Sequence, residues 1–211
     1  MTTERDADRP LTRRQEQAAA TRSQLLLAAR EVFEAKGYQG TTVGAITARA
    51  ATAHGTFYLY FDNKEHCFNE VMAEVTDLLY RGATTTWATE PYAGIEHAIR
   101  GFLTLFTAHG GLWRCVLEGM LSSPTIRSLW LDIRRNFSER VARGLRARQE
   151  TGMVRALDAD VAAEALCAMA EWFAFTHFVV GPYEPDAGAI DDAAAVLTDL
   201  WFHAVYGGAA G

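Results

Sequence analysis

The chain has 211 residues, 49% hydrophobic and 22% charged, a balance that builds a core and excludes a disordered polymer. Its net charge of −6 is uneven: residues 9–64 hold eight Lys/Arg and four acids, net +4, whereas residues 65–211 hold eleven Arg and nineteen acids, net −8. The polar opening MTTERDADRPLT offers no signal-peptide core, and the longest apolar stretch, 167–180, is broken by Glu171, Thr176 and His177, so neither export nor a membrane span is expected.

Helical periods run almost throughout, and no segment reads as a strand. A flexible arm is expected over 1–13. The first helix is predicted from about Arg14 to Lys36, with Leu25, Ala29, Val32 and Phe33 on one stripe and Gly37 as a left-handed C-terminal cap. Thr42 is placed to cap a second helix, 43–50. Ala51-Thr52-Ala53 forms a turn, and a third helix covers about His54 to Tyr60. Asn63 caps a fourth helix running from Lys64 to about Trp87. Glu90-Pro91 reads as a break. The next helix is predicted over 94–109, with Ile95, Ile99, Phe102 and Phe106 on one face and Gly110-Gly111 as a stop. Then follow a short apolar helix over 112–121 and a long one over 125–150. The long helix carries Ile126, Leu129, Trp130, Ile133, Phe137, Val141 and Leu145 on one stripe and arginines elsewhere. The last two helices are expected from Asp158 or Asp160 to Val180, and over 190–206.

Residues 37–64, GYQGTTVGAITARAATAHGTFYLYFDNK, carry the most chemistry. Two short helices joined by a tight turn are how a helix-turn-helix presents groups to DNA phosphates and base edges. Gly55 and Thr56 are small, so the backbone can approach the duplex. His54 at the helix start can reach a base edge or a phosphate. Tyr58 and Tyr60 can donate hydroxyl hydrogen bonds to phosphates, while Phe57 and Phe61 anchor the helix. Thr42 can hold a further phosphate at the N-terminus of the second helix. Lys64 opposes the dipole of its own helix, a cost that a nearby phosphate would offset. The bland readings stand beside these: the tyrosines as half-buried wedges, Thr42 as a cap.

On these residues the stretch 25–71 resembles the DNA-binding domain of the TetR family of bacterial transcriptional repressors. The matching features are Ala29 and Phe33 with Gly37-Tyr38, Thr41-Thr42-Val43 with Ile46, and Gly55 to Phe61 with Lys64-Glu65. The turn departs from the family pattern of Gly, then Val or Ile, then Ser or Thr. Ala53 therefore leaves the third helix without a side-chain cap, and Thr52 stands where the family has a core aliphatic. The resemblance implies an all-α fold of about nine helices. A three-helix DNA-binding domain (14–63) would precede a helical ligand-binding and dimerisation bundle (64–211). It implies a homodimer on a pseudo-palindromic DNA operator, since one short helix reads few base pairs.

The body is weakly similar to the branch of that family typified by the mycobacterial ethionamide-resistance repressor. The similarity lies at Phe102/Phe106, Leu129/Trp130 with Phe137, Glu171, Phe175, Trp201, Tyr206 and Gly207. It implies an apolar effector pocket lined by Ile99, Phe102, Phe106, Trp130, Ile133, Phe137, Glu171, Phe175 and Trp201. Two amide positions of that branch are Cys167 and Ala170 here, so a more apolar ligand is expected. Taken alone, the aromatics of this region also read as bundle core, and Glu171 as either a buried anchor or a solvated face. Leu166, Met169, Phe173, Leu197, Leu200, Trp201 and Val205 look like a dimer face on the last two helices.

Three separated cysteines read as reduced small hydrophobes, and with the rest point to the cytoplasm. No hydrolase, nucleotide-binding or Glu-x-x-His motif occurs, so no enzyme, cofactor or metal is expected. A ligand carrier that has lost DNA binding, and an activator rather than a repressor, remain alternatives.

Overall fold

The computed structural model describes residues 12–82, 90–181 and 186–207. These contain nine α-helices and no strand. Thr12 opens α1 (Arg13–Gly40) with a capping box: its backbone N–H donates to Gln15 Oε1 at 2.8 Å, and its hydroxyl accepts from the Gln15 N–H. The expected arm, residues 1–13, lies almost wholly outside the described residues, as does the predicted end of the fourth helix. Helix α1 breaks at Gly37, as its glycine suggests, but not as a left-handed cap. Gly37 takes φ 71°, ψ 175°, a conformation that suits glycine. The cause lies far away in sequence. Glu118 accepts the Tyr38 N–H at 2.9 Å, and its carboxylate lies 2.8 Å from where a Gly37 Cβ would sit.

Helices α2 (Val43–Arg49) and α3 (His54–Phe57) follow. The latter is shorter than predicted: Tyr58 to Tyr60 form a turn. Leu25, Ala29, Phe33, Ile46, Phe57 and Phe68 are fully buried, and Phe61 nearly so, with the Phe33 and Phe68 rings edge-to-face at 4.8 Å. Helix α4 (Lys64–Gly82) is capped by Asn63, whose Oδ1 accepts the His66 N–H at 2.8 Å. Arg22–Glu70 at 2.8 Å and Arg30–Glu74 at 3.4 Å tie α1 to α4. The α4 helix then runs on against α5 and α7, joining head to body.

Helix α5 (Pro91–Ala108) begins at the proline read as a break. Pro91 sits in the first turn, where a missing N–H costs nothing. At Gly110-Gly111 α5 does stop, and a new helix starts at once. These glycines form the first turn of α6 (Gly110–Met120), and the chain bends at His109. Their smallness serves packing: a Cβ on Gly111 would lie 3.0 Å from the Glu34 Cα of α1. Helix α6 packs along α1. Ser123 caps α7 (Pro124–Glu150), Asp158 caps α8 (Ala159–Ala174), and Asp186 caps α9 (Ala187–Tyr206). A π-helical turn, Phe175–Val179, extends α8. Helix α5 lies along α9, and α7 along α8; the Trp201 indole N–H donates to the Leu166 carbonyl at 3.1 Å.

Candidate nucleic-acid interface and body cavity

Thr42 is the N-cap of α2, its hydroxyl accepting the Ala45 N–H at 3.2 Å. His54, Gly55 and Tyr58 are exposed, Thr56 is half-buried, and Phe57 and Phe61 pin the segment to the head's core. A Cβ on Gly55 would meet nothing within 4 Å, so this backbone is open to a close partner. Leu59 is 77% exposed beside Tyr58 at 53%. Tyr60 is half-buried and packs against the head's core. Arg13, Arg14 and Lys36 are exposed, whereas Arg22, Arg30 and Arg49 pair with Glu70, Glu74 and Glu31.

The Lys64 ammonium donates to the Tyr38 carbonyl at 2.7 Å and the Thr41 carbonyl at 3.0 Å, and lies over the Tyr38 ring at 4.3 Å from the centroid. The carbonyls at the C-terminal end of α1 offset the cost against the α4 dipole within the head itself. Burial pushes the Lys64 pKa down and that of the Tyr38 hydroxyl up to about 12.

The turn before α3 holds three local costs. Ala51 has φ 50°, which a Cβ disfavours. The buried Thr52 hydroxyl finds no partner among the described residues. Ala53 gives α3 no side-chain cap.

In the body, α4, α5, α6, α7, α8 and α9 line a half-open cavity of about 530 Å³. Ile99, Phe102, Phe106, Trp130, Ile133, Phe137, Glu171 and Trp201 all lie on its wall. Phe175 instead lines an adjoining chamber of about 180 Å³, which shares Phe106, Trp113, Trp130, Arg134 and Glu171 with the first. Cys167 and Ala170 are also on the main wall. The sequence reading missed Trp113 and Arg134. Trp113 sits in an apolar run that hides which face points inward. Arg134 is one turn after Trp130, a spacing that marks a shared face but not a buried charge.

Glu171 is resolved as a buried group. Its side chain is 13% exposed, and Oε2 lies 3.0 Å from Arg134 Nη1. Its Oε1 is buried with no hydrogen-bond partner among the described residues. Burial pushes its carboxyl up to about 7, against the lowering effect of Arg134. Burial likewise pushes the thiols of Cys67, Cys115 and Cys167 up to about 12, so they behave as inert small side chains.

The expected dimer face is also corrected. Leu166, Leu197, Trp201 and Val205 are buried within this chain, and Met169 and Phe173 are half-buried. Leu200 is exposed, together with Val196 on α9 and Val161 and Trp172 on α8. The inward stripe of each helix closes the body's core, and a second stripe faces outward.

Helix α6 links the two regions. One face carries Trp113 to the cavity wall. The other meets the head: Glu118 holds the Tyr38 N–H, and the Cys115 thiol donates to the Phe33 carbonyl at 3.3 Å. Nearby, Gln39 donates to Ser122 Oγ at 3.0 Å and Ser123 to Glu65 at 2.7 Å. No described helix is long and apolar enough to cross a membrane.

The family description "Bacterial regulatory proteins, tetR family" matches residues 25–71, and "Transcriptional regulator EthR, C-terminal domain" matches residues 95–207. The HTH-type transcriptional regulator UidR of Escherichia coli K12 is 25% identical over 146 residues, covering 66% of this chain and 72% of that protein. A TetR-family regulator from Mesorhizobium loti superposes with TM-score 0.76 at 20% identity, over 93% of this chain and 100% of that one. The regulator PfmR of Thermus thermophilus gives 0.66 at 22% identity, over 84% and 96%. A flavonoid-responsive regulator, FrrA, gives 0.64 at 18% identity, over 89% and 98%.

Proposed function

Because the chain belongs to the TetR family of bacterial regulatory proteins, with an EthR-type C-terminal domain, we propose that it is a cytoplasmic, homodimeric repressor released from its operator by a mostly apolar small molecule in the body cavity. The carrying observation is the double duty of α6, with Trp113 on the cavity wall and Glu118 on the backbone of the DNA-binding head. A ligand that repacks the wall can move α6, and with it α1 and the α3 face. It shifts the equilibrium only by binding one head arrangement better than the other.

Within this reading His54, Gly55 and Thr56 meet base edges, and Thr42 and Tyr58 meet phosphates. Tyr60 supports the turn from its half-buried position, and Lys64 keeps the α1 end in place. The exposed Val161, Trp172, Val196 and Leu200 supply the partner face. Dimerisation through this face pairs two α3 segments for two half-sites. That the similar fold of FrrA belongs to a flavonoid-responsive regulator supports a small-molecule effector. Reading the cavity as a carrier's alone is less favoured, because the α3 surface is left open.

The test is binding of labelled DNA from the chain's own upstream region at two salt concentrations. A specific complex that weakens with salt is expected, and its absence up to micromolar protein overturns the reading. Tyr58→Phe should weaken all sequences alike, whereas His54→Ala and Thr56→Ala should change the preference between operators.

A further inference from the structure

We propose that the body cavity selects a neutral, ring-bearing molecule whose hydroxyl or amide N–H donates a hydrogen bond to Glu171 Oε1. This rests on the reading of the cavity as the effector site, and it names the chemical class that site takes.

The walls favour flat rings. Phe106 and Trp113 stack at 4.6 Å with planes 7° apart, and Trp130 stands edge-on to Trp113 at 6.3 Å. Phe102 and Phe137 meet edge-to-face at 6.4 Å on the same cavity. A ligand ring can extend such stacks with the offset or edge-to-face geometry that aromatic quadrupoles prefer.

Among the polar groups on this wall, which include the buried Trp113 indole N–H without a partner among the described residues, Glu171 is the buried acceptor. Glu171 borders both chambers. Oε2 is held by Arg134, and Oε1 is a buried acceptor without a partner among the described residues. An unsatisfied buried acceptor is costly, and a ligand donor removes that cost on binding. Cys167, one turn earlier, and Ala170, the preceding residue, offer no strong hydrogen-bonding group in competition.

The ligand's charge follows from the surroundings. A cation at Oε1 would lie close to the Arg134 guanidinium, and Arg135, Arg140 and Arg148 add like charge on the same wall. An anion would face the Glu171 carboxylate, with Glu164 also lining the cavity. The guanidiniums that would receive an anion are engaged elsewhere. Arg134 is on Glu171 and over Trp130, and Arg135 is on Asp132. Arg140 lies over Tyr80, and Arg148 is on the Gly144 carbonyl. A neutral donor avoids both penalties.

The test uses the full chain and a matched biphenyl series bearing para-hydroxy, para-methoxy, para-aminomethyl or para-carboxylate groups. Calorimetry at pH 8, above the raised Glu171 value so that the carboxylate is mostly ionised, measures affinity. Quenching of tryptophan fluorescence reports entry, because Trp113, Trp130 and Trp201 line the cavity. The hydroxy compound should bind about tenfold or more tighter than the methoxy compound, the amine and the carboxylate. Glu171→Leu should abolish the hydroxy preference, and Glu171→Gln, which keeps a side-chain carbonyl, should retain part of it. If Glu171→Leu does not fold, Arg134→Leu/Glu171→Leu removes both charges together and serves in its place. Equal affinities, a preference that survives Glu171→Leu, tightest binding by the amine or carboxylate, or no binding by any of the four overturns the assignment. Operator binding is measured separately. A protein that binds DNA and is released by some ligand without the hydroxy preference refutes the donor assignment and keeps the repressor reading.

Discussion

Head and body are built on opposite packing rules. In the head, aromatic and aliphatic side chains fill the space between α1, the two short helices α2 and α3, and α4, and Phe33, Phe57 and Phe68 are fully buried. In the body, the helices leave about 530 Å³ unfilled, with a mostly buried carboxylate on the wall. Dense packing holds one shape, whereas a lined void forfeits contacts that a bound molecule restores. The head is therefore the fixed reading element and the body the responsive one. They meet where α6 crosses α1.

The sharpest test of that contrast is a pair of truncations followed by denaturant unfolding. Phe33→Ala should cost about 4 kcal/mol, because its site is closed on all sides. Phe102→Ala, at the cavity wall, should cost about 1–2 kcal/mol, since one side of the ring already lacks neighbours. Equal costs would break the contrast.

The seam comes next. Gly37→Ala forces a Cβ against the Glu118 carboxylate in a backbone conformation that disfavours it, for a loss of about 2–3 kcal/mol in thermal unfolding. Adding Glu118→Ala should recover the steric part and leave the backbone strain. Full recovery would show that φ at Gly37 is unimportant.

The buried carboxylate gives the body a pH signature. Its folded pKa, about 7, lies above the ordinary 4.5, so the folded state holds the proton more tightly. Stability should fall as pH rises from the ordinary value through the folded one. Glu171→Gln removes that slope. Relative to the parent, the variant should gain about 2 kcal/mol between roughly pH 5 and pH 8, followed by chemical denaturation. An unchanged difference would show that Arg134 fully compensates the burial.

The smallest effects sit in the head's turn. Ala51→Gly relieves a positive φ and Ala53→Ser supplies a cap, each raising stability by about 1 kcal/mol. If both variants are neutral, the turn is already relaxed. If Ala53→Ser also tightens operator binding, the turn limits the placement of α3.

Much of this was legible in the chain itself. Apolar periodicity placed the helices, because an amphipathic stripe is a local property of spacing. Thr42, Asn63 and Asp158 announced caps, since a cap needs a short polar side chain just before a helical run. Eight of the nine residues that the family resemblance implies for the pocket line one cavity. What the chain alone left open has a common cause. Gly110-Gly111 and Pro91 carry a local breaking tendency. Their positions follow also from close approach to α1 and from a tolerant first turn. The dipole of its own helix marks Lys64 as needing a partner, but only the fold shows the Tyr38 and Thr41 carbonyls that receive it.

The sequence by itself determined an all-helical chain with a DNA-reading motif near one end and aromatic faces in the rest, since period, capping and motif spacing are encoded within a few turns. Tertiary structure decided which face each helix turns inward. It left Glu171 Oε1 without a partner among the described residues, committed Lys64 to the end of α1, and set Glu118 against Gly37. Those outcomes depend on contacts between residues up to 80 apart along the chain, where spacing carries no signal and packing alone chooses the partner.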